Sequence, residues 1–269
     1  MARKHFHSID INCTSSELSD ENVSFSHPEY VARRKRFLAP HDMVLRARCL
    51  LGFIDNALRD AKVTTTSPKI TELRINLTNV PREQPDYYRG GERWDLNVDV
   101  ACSATSLVKL PMDHKILGEF FIDIVEQGLE KASEYPELPR DIINEACTRF
   151  RANDYKFPYK IGEGKIEGTA VKGRLQAVAS CVSTERYFSA AYRGKDLFRT
   201  QISGTDTSNL GLRTLYNGFA WADDIITVKG SPWLEDADWA ARIVDHAKPY
   251  NIHLNAFPEA MAFIQTKLV

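Results

Sequence analysis

Val44, Ala47, Leu51, Ile54 and Leu58 recur three and four positions apart, the spacing that lines one face of an α-helix. Asp42 stands where such a helix would be capped. Ahead of it, Pro28 suits the first turn of a helix running to about Phe37, and Pro40 is placed to end it, so a helical hairpin is expected. Residues 5 to 12 can form a short strand, and the polar stretch Thr14 to Asn22 reads as a surface loop.

Beyond Thr64-Thr65-Thr66-Ser67-Pro68 the period changes to two. Leu73, Ile75 and Leu77 alternate with Glu72, Arg74, Asn76 and Thr78, and Trp94, Leu96, Val98, Val100 and Cys102 alternate with Asp95, Asn97 and Asp99. Each run fits a strand with one buried and one wet face. Two neighbouring strands follow, antiparallel if they pair directly. Their connection, Pro81 to Arg93, holds Pro85, Gly90 and Gly91 and is too long for a tight turn, so it is expected to project as a surface loop.

Helical spacing returns in Ile116, Leu117, Phe120, Phe121, Ile124, Val125 and Leu129, opening near Asp113, and in Ile142, Ile143, Ala146 and Phe150 after Pro139. The second half is mostly β-prone. Leu175–Val182, Tyr187–Tyr192 and Leu197–Ile202 read as a meander, and Asn217-Gly218 is a strong hairpin signal that would join Leu212–Tyr216 to Phe219–Ala222. Acidic Glu235, Asp236 and Asp238 and basic Arg242, His246 and Lys248 match a helix dipole between Pro232 and Pro249, and a last helix follows Pro258. No repeat or βαβ array is evident. The fold class expected is α+β: helices packed on an antiparallel sheet, with a C-terminal antiparallel meander. Residues 1-269 read as a single domain with possible lobes at 1-155, rich in helix, and 156-269, rich in strand, divided near residues 153 to 164.

Composition narrows the function classes. Apolar content of 43% and charged content of 26% are those of an ordinary globular protein with ample core. The 35 basic residues nearly cancel the 36 acidic ones, so the summed field attracts neither nucleic acid nor an anionic membrane. No apolar run of signal-peptide or bilayer-spanning length is evident, and a cytoplasmic location is the default expectation. The five cysteines, 13, 49, 102, 147 and 181, are scattered and never form C-x-x-C, which reads as buried reduced thiols, not a disulfide framework or a zinc site.

Candidate chemistry is sparse. His5 and His7 form H-x-H, which on a strand turns both imidazoles to one face. A metal-dependent hydrolase built on that pair would need further ligands, for which His246, His253, Asp223 and Asp224 are available; the competing reading is two ordinary solvated histidines. The segment Gly162-Glu163-Gly164-Lys165-Ile166-Glu167-Gly168 lacks the spacing of a phosphate-cradling loop and reads as a glycine-permitted hairpin. Cys181 could pair with a histidine as a nucleophile, but a cysteine in an apolar strand is usually core. Glu119, Asp123, Glu126 and Glu130 form a solvated helix face. Arg33-Arg34-Lys35-Arg36, with Arg46 and Arg48, is a dense basic cluster that offers a nucleic-acid reading. Common nucleophile, zinc-protease, kinase and Walker signatures are absent.

Tyr87, Tyr88 and Arg89 on the Pro81–Arg93 connection carry the residue types enriched at binding hot spots, although both tyrosines could instead fold back onto the sheet. The expectation is a non-enzymatic intracellular protein-binding domain, such as an inhibitor, an immunity-type antidote or an adaptor, without a cofactor. Tyr87, Tyr88 and Arg89 would meet another protein. The metal-dependent hydrolase through His5 and His7 and the nucleic-acid binder through Arg33 to Arg36 are the alternatives.

Overall fold

The computed structural model describes residues 4–6, 8–13, 39–65, 70–90, 93–206, 216–230 and 250–267. The chain divides into two compact units, Met1–Phe157 with Ser180–Val182, and Pro158–Ala179 with Ser183–Val269. Helices and sheets are segregated into runs, the α+β arrangement. Among the described residues no helix is long and apolar enough to cross a membrane.

The first unit contains β1 (Lys4–His5), β2 (Ser8–Cys13), α1 (39–45), α2 (Arg48–Ala61), β3 (Thr64–Thr65), β4 (Glu72–Thr78), β5 (Asp86–Gly90), β6 (Arg93–Ala101), α3 (Ala104–Val108), α4 (His114–Lys131) and α5 (Arg140–Ala152). Its main sheet has the order β2-β4-β6-β5. β2, β4 and β6 run parallel, with Ile11 opposite Ile75 and Ile75 opposite Val98, and only β5 is antiparallel to its neighbour. The expected antiparallel pairing of β4 with β6 is thus corrected to parallel. The physical reason is the connection between them: it crosses to the far edge, lays down β5 and returns as a hairpin, so β6 enters beside β4 in the same direction. Asp86–Gly90, expected in a loop, is therefore a strand, as the β-propensity of two adjacent tyrosines allows.

Strict alternation sends Ile9, Ile11, Leu73, Ile75, Leu77, Leu96, Val98 and Val100 to one face, where all are buried. α2 packs along β2, α4 lies over β4 and β6, and α5 closes on α2 and α4. Leu51, Ile54 and Leu58 of α2 and Phe121, Ile122, Val125 and Leu129 of α4 fill the interface, each large side chain contributing about 1.5–3 kcal/mol of gross burial energy. α4 starts as its sequence implies, with Asp113 accepting the Lys115 and Ile116 N–H groups at 2.8 and 3.0 Å. The helix before it differs from expectation. Asp42 and Pro40 lie within α1, a turn at Arg46–Ala47 interrupts the helix, and α2 opens on Ala47 without a side-chain cap. Pro28–Phe37 and residues 232–249 lie outside the described residues.

The second unit comprises β7 from Pro158 (Phe157–Lys165 in full), β8 (Lys172–Ala179), β9 (Ser183–Tyr192), β10 (Lys195–Asp206), β11 (Tyr216–Ala222), β12 (Ile225–Gly230), β13 (Tyr250–His253) and α6 (Pro258–Gln265). β7 to β10 form the antiparallel meander, and β11 to β13 a separate three-stranded antiparallel sheet. A shared core of Val171, Leu175, Phe188, Phe219, Ile226 and Ile252 joins the two sheets. Arg193 and Gly194, at φ of 47° and 81°, make the two-residue turn of the β9–β10 hairpin. Asn217-Gly218 does not form the expected hairpin. Gly218, at φ 111°, sits in a register shift within β11, and the turn falls six residues on at Asp223-Asp224, between Ala222 and Ile225. A positive-φ pair signals a bulge as readily as a turn, and here packing of Phe219 into the core selects the bulge.

α4 comes close to the sheet at Gly128, where a Cβ would lie 2.5 Å from Ile75 Cδ1 and 2.8 Å from its Cγ1. Ile75 is fully buried and β-branched, so it has little room to move. Gly128→Val should lower stability by about 1–3 kcal/mol through overpacking, measured by denaturant unfolding; a stability equal to wild type would show that α4 can lift from the sheet at no cost.

Candidate partner-binding face

The face of the mixed sheet opposite the helices is built by the same alternation. Register places Asp10 beside Arg74 and Arg74 beside Asn97, Glu72 beside Asp95, and Asn76 between Asn12 and Asp99. On the edge strand, Tyr88 faces Asp95 and Asp86 faces Asn97. Directly opposed residues share a face, so among the described side chains this face carries Asp10, Glu72, Asp86, Asp95 and Asp99 with Arg74, and Arg82 of the β4–β5 connection joins it through Asp99.

Arg82 is its strongest fixture. Its Nε and Nη2 donate to the two Asp99 carboxylate oxygens at 2.8 and 3.0 Å, its backbone N–H donates to Asp99 Oδ2 at 3.1 Å, and its Nη1 reaches Asp86 at 3.0 Å. Asn76 Nδ2 adds a bond to Asp99 Oδ1 at 3.2 Å. The Arg82 hydrogen bond is the main cause holding the Asp99 carboxyl down to about 2, with burial opposing it, and Arg82 is itself pushed up by the same pairing. Such a planar fork on a carboxylate fixes orientation as well as charge.

A second group centres on Arg74, whose Nη2 lies 3.0 Å from Glu72 Oε1 and 3.2 Å from Asp95 Oδ2. One guanidinium thus serves two acids, and Asp10 adds a third nearby charge. Burial, opposed by Arg74 and assisted by Asp95 and Asp10, raises the Glu72 carboxyl. Asp95 is 6% exposed, and its Oδ1 has no hydrogen-bond partner among the described residues. At the sheet edge Asp55 of α2 accepts the Ile9 N–H, and burial pushes its carboxyl up to about 7.

The edge strand separates the two tyrosines. Tyr87 points to the helix face and packs edge-on against Trp94 at 6.4 Å and Tyr135 at 5.3 Å. Burial and a hydrogen bond to Tyr135 raise its phenol. Tyr88 points to the polar face and is 60% exposed. The side chain of Arg89 lies outside the described residues. Two of the three residues expected at an interface thus have different surroundings.

The remaining sequence candidates fall elsewhere. His5 lies in β1 and His7 outside the described residues; Asp223, Asp224 and His253 belong to the other unit, and His246 is not described. Among the described residues no group of three histidines, cysteines or acids stands close enough to hold a metal ion. Arg33 to Arg36 are outside the description. Arg46, grouped with them by sequence, is buried and donates to the carbonyls of Cys181 and Val182 at 3.4 and 3.2 Å. Glu119 and Glu126 are engaged by Arg151 of α5 at 2.9 and 3.2 Å. Gly162–Lys165 is part of β7, and Gly168 takes the positive φ of the following turn. In the second unit an open cleft of about 260 Å³ is lined by Thr200, Gln201 and Ile202 of β10 and Tyr250 to His253 of β13, with Ala256 and Phe257; its lining has one imidazole and no carboxylate. That set lacks a paired acid and base. Comparison with protein-family models, with curated proteins and with solved structures finds no match.

Two outcomes test these electrostatics. Asp99 is ionised more readily in the fold than at its ordinary 3.8, so its contribution is present above that pH and lost as the pH falls toward 2. Arg82→Ala should cost about 1–2 kcal/mol at pH 7, discounted for the exposure of Arg82, and the gap to wild type should close between pH 4 and about 2 in urea titrations. Asp55 has the opposite sign: its folded-state carboxyl is raised from 3.8 to about 7, so ionising it costs stability increasingly across that window. Asp55→Asn keeps an acceptor for the Ile9 N–H and should gain about 1–2 kcal/mol at pH 8 but little near pH 4, measured the same way.

Proposed function

We propose that this chain is a protein-binding domain, of the kind that serves as an inhibitor or immunity-type antidote, and that it receives a basic protein surface on the polar face of its mixed sheet, with Tyr88 at the rim. The single observation that carries this reading is the exposed Tyr88 on an outer strand beside a face that holds, among the described side chains, five carboxylates and two guanidiniums, of which Asp86 and Arg82 are open to solvent and Asp95 and Asp99 are buried. A large aromatic with few rotatable bonds gives contact area at low entropic cost. Tyr87, pinned on the other side of the same strand, holds the backbone that presents it. The acids attract lysine and arginine side chains, speed encounter and reject acidic surfaces. Among the described residues β5 pairs with β6 alone, so its outer edge can also add hydrogen bonds to an extended segment of the partner.

The metal-dependent hydrolase and nucleic-acid readings gain no specific observation: His7 and Arg33 to Arg36 are not described, and an acid-rich face repels phosphate.

A photo-crosslinking residue in place of Tyr88, compared in native lysate with one in place of exposed Lys195, tests the proposal. Position 88 should give a discrete protein adduct, absent at 195, that is competed by unlabelled chain and weakens as salt is raised from about 0.05 to 0.5 M. Identical adducts at both positions, or a yield indifferent to salt, would refute it. In parallel, Tyr88→Ala should change stability by no more than about 0.5 kcal/mol, whereas Tyr87→Ala should cost about 2–4 kcal/mol in lost packing.

A further inference from the structure

We propose that Cys49 and Cys181 form a disulfide, a covalent clip between the first turn of α2 and the Ser180–Val182 segment of the same unit. The two sulfurs are 3.0 Å apart, 132 positions apart in sequence, and both residues are fully buried. That separation is inside the usual resting contact of two non-bonded sulfurs, and an approach of about 1 Å reaches the bond length of about 2.05 Å.

Both backbones are already held in place. Arg46 Nη1 donates to the Cys181 and Val182 carbonyls, the Val182 N–H donates to Ser180 Oγ at 3.2 Å, and the Cys49 thiol lies 3.4 Å from the Arg46 carbonyl oxygen. Arg46 therefore anchors the segment that carries one cysteine while flanking the helical turn that carries the other. The other thiols stand elsewhere: Cys102 makes its thiol contact with the Ser103 carbonyl at 3.7 Å and has Cys13 as its thiol neighbour, and Cys147 is buried on α5.

The oxidant is a small-molecule disulfide of the glutathione class. One cysteine, as thiolate, attacks a sulfur of the small disulfide and expels a small thiolate, forming a mixed disulfide. The second cysteine then attacks the protein-side sulfur and expels the second small thiolate. Two protein thiols and one small disulfide become one protein disulfide and two small thiols; two electrons and two protons leave the protein. Burial, reinforced by the Cys181 sulfur, holds the Cys49 thiol well above its ordinary range, so exchange is slow in the closed fold and runs through opening of the segment or during folding.

The test uses the full chain. Reduced protein is unfolded and refolded in reduced and oxidised glutathione, free thiols are alkylated in acid, and peptides are mapped by mass spectrometry. The expected result is a Cys49–Cys181 cross-linked peptide lighter by two hydrogens than its reduced parts, with Cys13, Cys102 and Cys147 alkylated. The oxidised chain should melt on the order of 10 °C above the reduced chain, because a clip across so long a loop restricts the unfolded ensemble, and Cys181→Ser should lose that gain. Full alkylation of all five cysteines, a dominant pairing other than Cys49 with Cys181, or an oxidised chain melting no higher than the reduced one would overturn the proposal. The wild-type mapping decides the matter even if a serine variant fails to fold.

Discussion

Burial of one face of a mixed sheet beneath α2 and α4 is the constraint on which the first unit depends. Side chains alternate strictly along a strand, so once Ile9 and Ile11, Leu73, Ile75 and Leu77, and Leu96, Val98 and Val100 are committed to the helices, the residues between them are committed to the other side. The acid-rich surface is thus the complement of the core. A slip of one residue would place carboxylates under the helices, at a desolvation cost no local ion pair offsets. Gly128, letting α4 come down onto Ile75, sets how closely this burial is achieved.

Charge on that surface is arranged unequally. Arg82 and Asp99 form a bidentate, oriented pair that ties the β4–β5 connection to β6, and Asn76 completes it. Arg74 instead divides one guanidinium between Glu72 and Asp95. The first arrangement is structural in character. The second leaves a buried Asp95 carboxylate oxygen that no described donor reaches, beside a guanidinium shared between two acids.

The second unit draws its stability from a different source, two antiparallel sheets sharing an aromatic core in which Phe188 and Phe219 meet edge-on at 5.2 Å. Its cleft between β10 and β13 is of mixed polarity, and among the described residues its lining holds one histidine and no acid. Arg186 of β9, 2% exposed, donates to the Tyr250 hydroxyl at 2.7 Å, so a buried charge here serves cohesion of the two sheets.

Much of this was legible in the residues themselves. Alternation located β4 and β6, three- and four-residue spacing located α4 and α5, and the segregation of those periods implied α+β; each signal is local, because periodicity reports which side of an element is wet. The sequence likewise marked Tyr87 and Tyr88 as a pair of interest, but not that alternation on an edge strand would send one to the core and one to solvent. Strand direction, the bulge at Gly218 and the Arg82–Asp99 fork depended on which strands became neighbours. The approach of Cys49 to Cys181 was likewise hidden, since no local spacing encodes a contact between a helix and a turn so far along the chain. Local preference therefore determined the elements and their faces, while pairing, register and long-range side-chain contacts came only from tertiary structure, where burial of the whole apolar surface chooses among arrangements that local energies leave nearly equal.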